Sequence, residues 1–233
     1  MSEEKKYIRE IKSFVRREGR MTKAQKCALE KLLPIYELSF DKGLLDFKKI
    51  LTQYDEVVLE VGFGMGRSLI EMAEKFPQKF FIGVEVHRPG VGSLLQNIHA
   101  KKIENVRVIC HDAVEVLKNN IPNKSLDIIQ IFFPDPWPKK RHHKRRLIQP
   151  EFVQLIRQKL KPGGILHVAT DWQNYAEYIL EVLHKDKDFV NLAEDNNFSD
   201  RSLSRPSTKF EERGKKLGHE VWDLIFEVRH SAV

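Results

Sequence analysis

From residue 55 onwards, short apolar runs alternate with amphipathic stretches. The apolar runs predict strands over 57–61, 80–86, 106–110, 126–133 and 165–170, and the stretches that follow predict helices over 68–76, 90–101, 113–120, 150–160 and 172–184. We expect Lys161-Pro162-Gly163-Gly164 to end the fourth of these five helices. Apolar strands that alternate with helices predict a parallel sheet covered on both faces.

The two ends of the chain depart from this alternation. FVNLAE (189–194) and EVWDLIFEV (220–228) both read as strands, with too few residues between them for a crossover helix, so we expect antiparallel pairing. Residues 1–52 are predicted to form a basic, partly mobile extension, with one short helix over roughly 23–33 that ends before Pro34. One domain is predicted over 53–233.

Composition and charge narrow the class of protein. The chain has 233 residues, of which 41% are hydrophobic, and this is enough for one large core. Its formal charge of +7 favours a polyanionic partner such as nucleic acid. The alternative is a protein whose surface is basic although it binds no polyanion. Cys27 and Cys110 belong to no Cys/His cluster, which argues against a zinc site and against a disulfide framework and suits the cytosol. We find no signal peptide and no apolar run near the roughly 18 residues of a membrane helix.

A glycine-rich turn, LEVGFGMGRS (59–68), follows the first predicted strand. Alone it is a weak signal, because it is neither GxGxxG nor a P-loop and is often only a tight connection. However, Glu60, Glu85 and Asp112 all fall at or beside the carboxyl ends of successive predicted strands, where open α/β sheets bind ligands. Together with the glycines they favour a nucleotide-like cofactor, although Glu85 and Asp112 could instead cap helices.

This pattern, E-x-G-x-G-x-G with an acid after each of the next two strands, resembles class I S-adenosylmethionine-dependent methyltransferases. The resemblance implies an α/β, Rossmann-like fold whose seven-stranded, mostly parallel sheet has an antiparallel last strand and helices on both faces. It implies that Glu60, Glu85 and Asp112 hold S-adenosylmethionine, with Gly62, Gly64 and Gly66 under its methionine part. An NAD dehydrogenase is disfavoured because the third glycine spacing of its fingerprint is absent.

The fourth predicted strand leads into PDPWPKKRHHKRR (134–146). Prolines stiffen the turn around Asp135, and a basic block follows; a stiff loop or a localisation signal would explain only parts of it. The whole segment closely resembles the tRNA (guanine-N7)-methyltransferase family, as do ATDW (169–172) and RPSTKFEERGKKLGHEVWDL (205–224). The resemblance covers residues 55–229.

The family resemblance implies methyl transfer from S-adenosylmethionine to N7 of the variable-loop guanine of tRNA, position 46 in tRNA numbering. Asp135 is then the central acid of the transfer site and a cofactor contact. The target nucleotide would meet Lys139, Asp171, Thr208, Lys209, Phe210 and Glu211, and the RNA backbone would meet Arg141, Lys144, Arg145 and Arg146.

Some of these roles have structural alternatives. Phe210 could instead be a core aromatic, and Asp171 could cap the helix beginning at Trp172. No other candidate metal ligands accompany His142 and His143 in the sequence, so we expect no metal and interpret both as polar loop residues. The expected partner is tRNA, the location cytoplasmic, and the protein a monomer or homodimer. A class I methyltransferase acting on another RNA or a small molecule, and a non-catalytic RNA-binding protein, remain open as alternatives.

Overall fold

The computed structural model describes residues 13, 19–195, 197–200 and 220–230. The helices are α1 (Lys23–Lys31), α2 (Leu33–Tyr36), α3 (Phe47–Ile50), α4 (Arg67–Lys75), α5 (Arg88–Ala100), α6 (Ala113–Asn119), α7 (Pro150–Lys159) and α8 (Gln173–Lys185). The strands are β1 (Glu56–Val61), β2 (Lys79–Val84), β3 (Val106–Ile109), β4 (Leu126–Phe132), β5 (Leu160–Thr170), β6 (Phe189–Asn191) and β7 (Trp222–Val228). Two 3₁₀ helices span Phe40–Lys42 and Lys140–Arg145.

The seven strands form one sheet in the order β3-β2-β1-β4-β5-β7-β6. The first five strands of the chain pair in parallel, and β7 runs antiparallel to both of its neighbours. The predicted α/β fold with an antiparallel last strand is therefore confirmed. The order reverses between β1 and β4, which places a topological switch point, the usual ligand site of such sheets, beside the glycine-rich turn.

Alternate side chains along the strands face two separate cores. Val57, Leu59 and Val61 pack in one core with side chains of α6, α7 and α8, whereas Val58 packs in the other with side chains of α1, α4 and α5. Because both faces of the strands are covered by helices, most strand positions are apolar, which is the sequence pattern of a buried parallel sheet.

One local prediction was wrong, and the predicted end of the first helix before Pro34 is confirmed. Lys161-Pro162-Gly163-Gly164 does not form the turn after α7 but lies inside β5, where the register shifts between the pairs Leu126–Leu160 and Ile128–Ile165. Gly163 has a φ of 77°, which allows this bulge. The first helix ends at Lys31, and Pro34 lies in the first turn of α2, where its missing N–H is harmless.

The described part of the N-terminal extension packs onto the rest of the chain. Ala28 and Leu29 of α1 join one core, and Phe47 of α3 joins the other. The buried side chain of Asn120 donates hydrogen bonds to the carbonyls of Phe40 and Gly43. The domain boundary at residue 52 stays a prediction, and residues 1–12 and 14–18 lie outside the described residues.

Candidate active site

The glycine-rich turn joins β1 to α4 and has left-handed backbone at all three glycines. The φ angles are 74° at Gly62, 59° at Gly64 and 81° at Gly66. A Cβ added at Gly62 or Gly64 would meet nothing within 4 Å, whereas one at Gly66 would lie 2.7 Å from a methyl carbon of Leu94. Gly62 and Gly64 therefore offer bare backbone to a ligand. Gly66 instead permits close packing of α4 against α5, a distinction that the sequence alone did not reveal.

Glu85 at the end of β2 is bonded to the glycine-rich turn. One carboxylate oxygen accepts a hydrogen bond from the backbone N–H of Gly64 at 2.9 Å, and the other accepts from the N–H groups of Val86 and His87 at 2.8 and 2.9 Å. Gly90 of α5, which was not predicted from the sequence, also fits this turn closely. A Cβ there would lie 2.0 Å from the carbonyl oxygen of Gly64. The only signal in the sequence was the P-G-x-G run at the start of α5.

Asp112 follows β3 and caps α6. Its Oδ1 accepts a hydrogen bond from the backbone N–H of Val114 at 2.9 Å, so the alternative interpretation as a helix cap is correct. Asp112 nevertheless belongs to the candidate site, because it also lines a cavity beside the switch point.

That first cavity, of about 270 Å³, is lined by residues from six segments of the chain, four of which lie at the carboxyl ends of β1, β2, β3 and β4. Its lining includes Gly62, Gly64, Glu85, Asp112 and Asp135, all of which were predicted to meet at this edge of the sheet. The cavity is therefore a composite of the ends of β1, β2, β3 and β4.

A second cavity, of about 360 Å³, shares Gly62, Gly64, Phe132 and Phe133 with the first. Glu60 lines this second cavity and is only 2% exposed. The hydroxyl of Ser68 donates to Oε1 of Glu60 at 2.8 Å, but Oε2 has no hydrogen-bond partner among the described residues. Burial, opposed by the Ser68 hydrogen bond and reinforced by the charge of Glu85, raises the pKa of Glu60 from 4.5 to about 7.

The loop after β4 carries Asp135 on strained backbone. Phe133 and Trp137 on either side of it have φ angles of 53° and 45°, which are unusual for bulky residues. The N–H of Phe133 donates to the carbonyl of Ala169 on β5, and the indole N–H of Trp137 donates to the carbonyl of Ser13. Asp135 itself is exposed at the mouth of the first cavity. Backbone held this way at a cavity is typical of a functional loop.

The basic block folds back over this loop as a 3₁₀ helix. Lys139, Arg141 and Lys144 are exposed, and the guanidinium of Arg145 lies 5.2 Å from the ring centre of Trp137. Arg146 differs from them, because it is 3% exposed and donates hydrogen bonds to other parts of the protein. This burial argues against the expectation that Arg146 contacts RNA, because a buried guanidinium cannot reach a phosphate at the surface.

Asp171 is half-buried just after β5, next to the end of β4. The helix α8 begins at Gln173 after Trp172, whose side chain makes no capping hydrogen bond. Thr208, Lys209, Phe210 and Glu211 lie outside the described residues.

The described residues contain neither a cluster of metal-ligating side chains nor a helix able to span a membrane. Those residues contain no group of three His, Cys, Asp or Glu side chains that could hold a metal ion. None of the described helices has both the length and the apolar character needed to cross a membrane.

The fold and the edge-of-sheet site define a class of enzyme. Residues 54–224 match the family model described as "Putative methyltransferase", so the chain is a member of that methyltransferase family. The fold also resembles that of the 16S rRNA methyltransferase KamB, with a TM-score of 0.57, 16% identity and coverage of 80% of this chain and 95% of that chain. At that identity the likeness concerns the fold.

Relatives of much higher identity specify the family further. The tRNA (guanine-N(7)-)-methyltransferase of Aeromonas hydrophila is 55% identical over 226 residues, which are 97% of this chain and 95% of the relative. The protein of the same name from Idiomarina loihiensis is 53% identical over 227 residues, 97% of this chain and 93% of the relative. The chain belongs to the tRNA (guanine-N(7)-)-methyltransferase family.

Proposed function

We propose that this chain transfers the methyl group of S-adenosylmethionine to N7 of the guanine at position 46 in the variable loop of tRNA. The observation that carries the proposal is the first cavity, where Asp135 lies with Gly62, Gly64, Glu85 and Asp112 beside an exposed basic turn. The names of the two relatives compared above support the same reaction.

The residues present fit S-adenosylmethionine. Gly62 and Gly64 leave open the space that a Cβ would fill, so a ligand can approach the backbone closely. Glu85 and Asp112 supply carboxylates at the ends of β2 and β3, where a ribose and an adenine would be held. In the adjoining cavity, Oε2 of Glu60 is a buried acceptor with no donor among the described residues, which suits an ammonium group.

The chemistry requires little of the protein beyond alignment. When bound, S-adenosylmethionine supplies an electrophilic methyl group, whose bond to sulfur breaks as its bond to N7 forms. N7 of guanine carries a lone pair and no proton, so no general base is needed to create the nucleophile. The task of the side chains is therefore to hold the base in line with the methyl group and to exclude water.

Recognition of guanine rests on carboxylates at the same edge of the sheet. Guanine's N1–H and N2–H₂ can donate together to one carboxylate, and adenine cannot match that pattern. Asp135 and Asp171 follow the adjacent strands β4 and β5, so both are candidates for this contact. A carboxylate there also stabilises the positive charge that alkylation creates on the base.

Lys139 is proposed to contact the target nucleotide, and Arg141, Lys144 and Arg145 are proposed to attract the phosphate backbone. We further propose that Thr208, Lys209, Phe210 and Glu211 contribute to the nucleotide pocket.

The decisive experiment is a map of the methylated position. Unmodified tRNA transcripts would be incubated with the protein and S-adenosylmethionine, and N7-methylguanine located by borohydride reduction and aniline cleavage. We expect cleavage at guanine 46 and none in a matched transcript with adenine at that position. Cleavage at other guanines only would move the activity to another site, and no cleavage at all would contradict the proposal.

A binding measurement separates catalysis from simple RNA binding. S-adenosylmethionine that binds the native state selectively must raise the unfolding temperature. If the protein bound tRNA but showed no such shift, a non-catalytic RNA-binding role would replace the proposed one.

A further inference from the structure

Arg146 is a buried arginine without an acidic partner among the described residues. Its Nε donates to the carbonyl oxygen of Pro136 at 2.9 Å, and one Nη donates to Oδ1 of Asn174 at 2.8 Å. The guanidinium carbon lies 4.7 Å from the ring centre of Tyr175 and 5.3 Å from that of Tyr178. The same Nη also lies 3.2 Å from Nε2 of His143. Oxygens of neutral groups, the His143 ring nitrogen and aromatic faces therefore surround the charge.

Burying this charge is unfavourable in itself. Removing a guanidinium from water is expensive unless its donors are bonded, and burial lowers the pKa of Arg146, although the neighbouring tyrosines partly offset this. An arginine left at the surface would avoid this cost. The contacts that Arg146 makes in return indicate what the burial achieves.

On one side, Arg146 contacts the loop that carries Asp135. The carbonyl of Pro136 belongs to the residue next to Asp135, and the following residue, Trp137, has a φ of 45° that needs external support. The hydrogen bond from Arg146 fixes the orientation of that carbonyl, and the guanidinium of Arg145 over Trp137 covers the same turn.

On the other side, the contacts are anchored in the core. Tyr175 of α8 is fully buried, and its hydroxyl accepts a hydrogen bond from the backbone N–H of Ile148 at 3.1 Å. Asn174 precedes it in the first turn of α8, shortly after the end of β5. Arg146 thus links a strained loop to a helix that packs against the sheet.

We propose that Arg146 is a positioning residue, which holds the Pro136 carbonyl against α8 and thereby fixes Asp135 at the transfer site without touching the tRNA. This inference rests on the proposed function, because it assigns a role in the same reaction. It predicts a defect in turnover. A misplacement of about 1 Å near reacting groups lowers rates by about 100-fold.

A positioning role and a phosphate contact differ in salt dependence. Losing one phosphate contact changes the slope of log affinity against log salt by about 0.7 to 0.9. We expect Arg146→Gln to lower kcat about 10- to 100-fold, with the tRNA Kd within about twofold of wild type and the salt slope unchanged. Arg145→Gln should weaken tRNA binding and reduce the slope. Lys187→Gln, an exposed change that lines neither cavity, serves as the control for loss of charge.

Variants of Asn174 keep the test valid should Arg146→Gln fold poorly. Asn174→Ala removes one acceptor of the guanidinium and should lower kcat, whereas Asn174→Asp retains an acceptor and should restore turnover close to wild type. Arg146→Lys keeps the charge but not the planar fork, so we expect a turnover defect there too. Thermal unfolding of each variant separates a local effect from global destabilisation.

The indole of Trp137 reports on the loop without reference to activity. In a background with Trp172→Phe and Trp222→Phe it is the only tryptophan of the chain. Arg146→Gln should shift its emission to the red and increase its quenching by acrylamide. An inactive wild-type protein would overturn the proposed function, and the fluorescence would still test the loop. An active wild type with unchanged kcat and unchanged Trp137 emission in Arg146→Gln would overturn the inference.

Discussion

The buried carboxyl of Glu60 should make the protein less stable as the pH rises, and replacing it with glutamine should remove that effect. Glu60 is 2% exposed and receives one hydrogen bond, from Ser68, while burial and the nearby Glu85 raise its pKa to about 7. The glutamine amide resembles the protonated acid in shape and keeps an oxygen for the Ser68 hydroxyl. Glu60→Gln is therefore a nearly isosteric removal of the ionisation.

The sign of the pH dependence follows from whether the folded or the unfolded protein binds the proton of Glu60 more tightly. Because the pKa of Glu60 is higher in the folded protein than its ordinary value of 4.5, folding favours the protonated form. The associated stability is fully present below pH 4.5 and is lost as the pH rises through 7. A rise in pKa from 4.5 to about 7 corresponds to about 3 kcal/mol over the whole window.

Urea unfolding between about pH 5 and pH 8, without cofactor, measures this effect. The free energy of unfolding of Glu60→Gln, relative to wild type, should increase by about 2.5 kcal/mol across that range. For a chain of this length that is a gain of about 5–10 °C in Tm. Glu181→Gln, an exposed change on α8, is the control and should follow wild type at every pH. Parallel stability curves for Glu60→Gln and wild type would refute the reasoning.

Four further changes separate the parts of the site. Asp135→Ala should nearly abolish methyl transfer while leaving tRNA affinity within about threefold, as measured by filter binding; near-normal turnover would remove Asp135 from its central role. Gly66→Ala should lower the free energy of unfolding by about 1–3 kcal/mol, because its Cβ would lie 2.7 Å from Leu94, whereas Gly64→Ala should mainly weaken cofactor binding by calorimetry. Arg145→Gln should reduce the salt slope of tRNA binding by about 0.7–0.9, and an unchanged slope would place it off the RNA.

The sheet could be predicted from the sequence because burial on both faces leaves long apolar runs. The antiparallel pairing of β6 with β7 was predicted because the segment between the two apolar runs is polar and shows no clear crossover helix. The bulge at Lys161–Gly164 could not be predicted, since glycine and proline mark turns and bulges alike. The separate role of Gly66 could not be predicted either, because its reason is a contact with Leu94 on another helix.

The meeting of the acidic residues of the candidate site could be predicted from the sequence, whereas the placement of its basic residues was less predictable. The carboxyl ends of parallel strands must share one edge, so Glu85, Asp112 and Asp135 were expected to meet there, and they do line one cavity. Charge along the chain says nothing about which side chains point outwards. Arg145 and Arg146 are adjacent and identical in type, yet Arg146 is buried because the 3₁₀ turn directs it towards α8.

The segment from Pro134 to Arg146 is therefore one packed unit, in which the acid and the cations depend on each other. Its first cations are exposed at the start of the 3₁₀ helix, and its last arginine reaches back to the carbonyl of Pro136. On the proposed roles, phosphates held by Arg141 and Lys144 and the carboxylate of Asp135 are fixed relative to one another by a single turn. Lengthening that turn by one residue should then uncouple RNA binding from methyl transfer, even with every side chain retained.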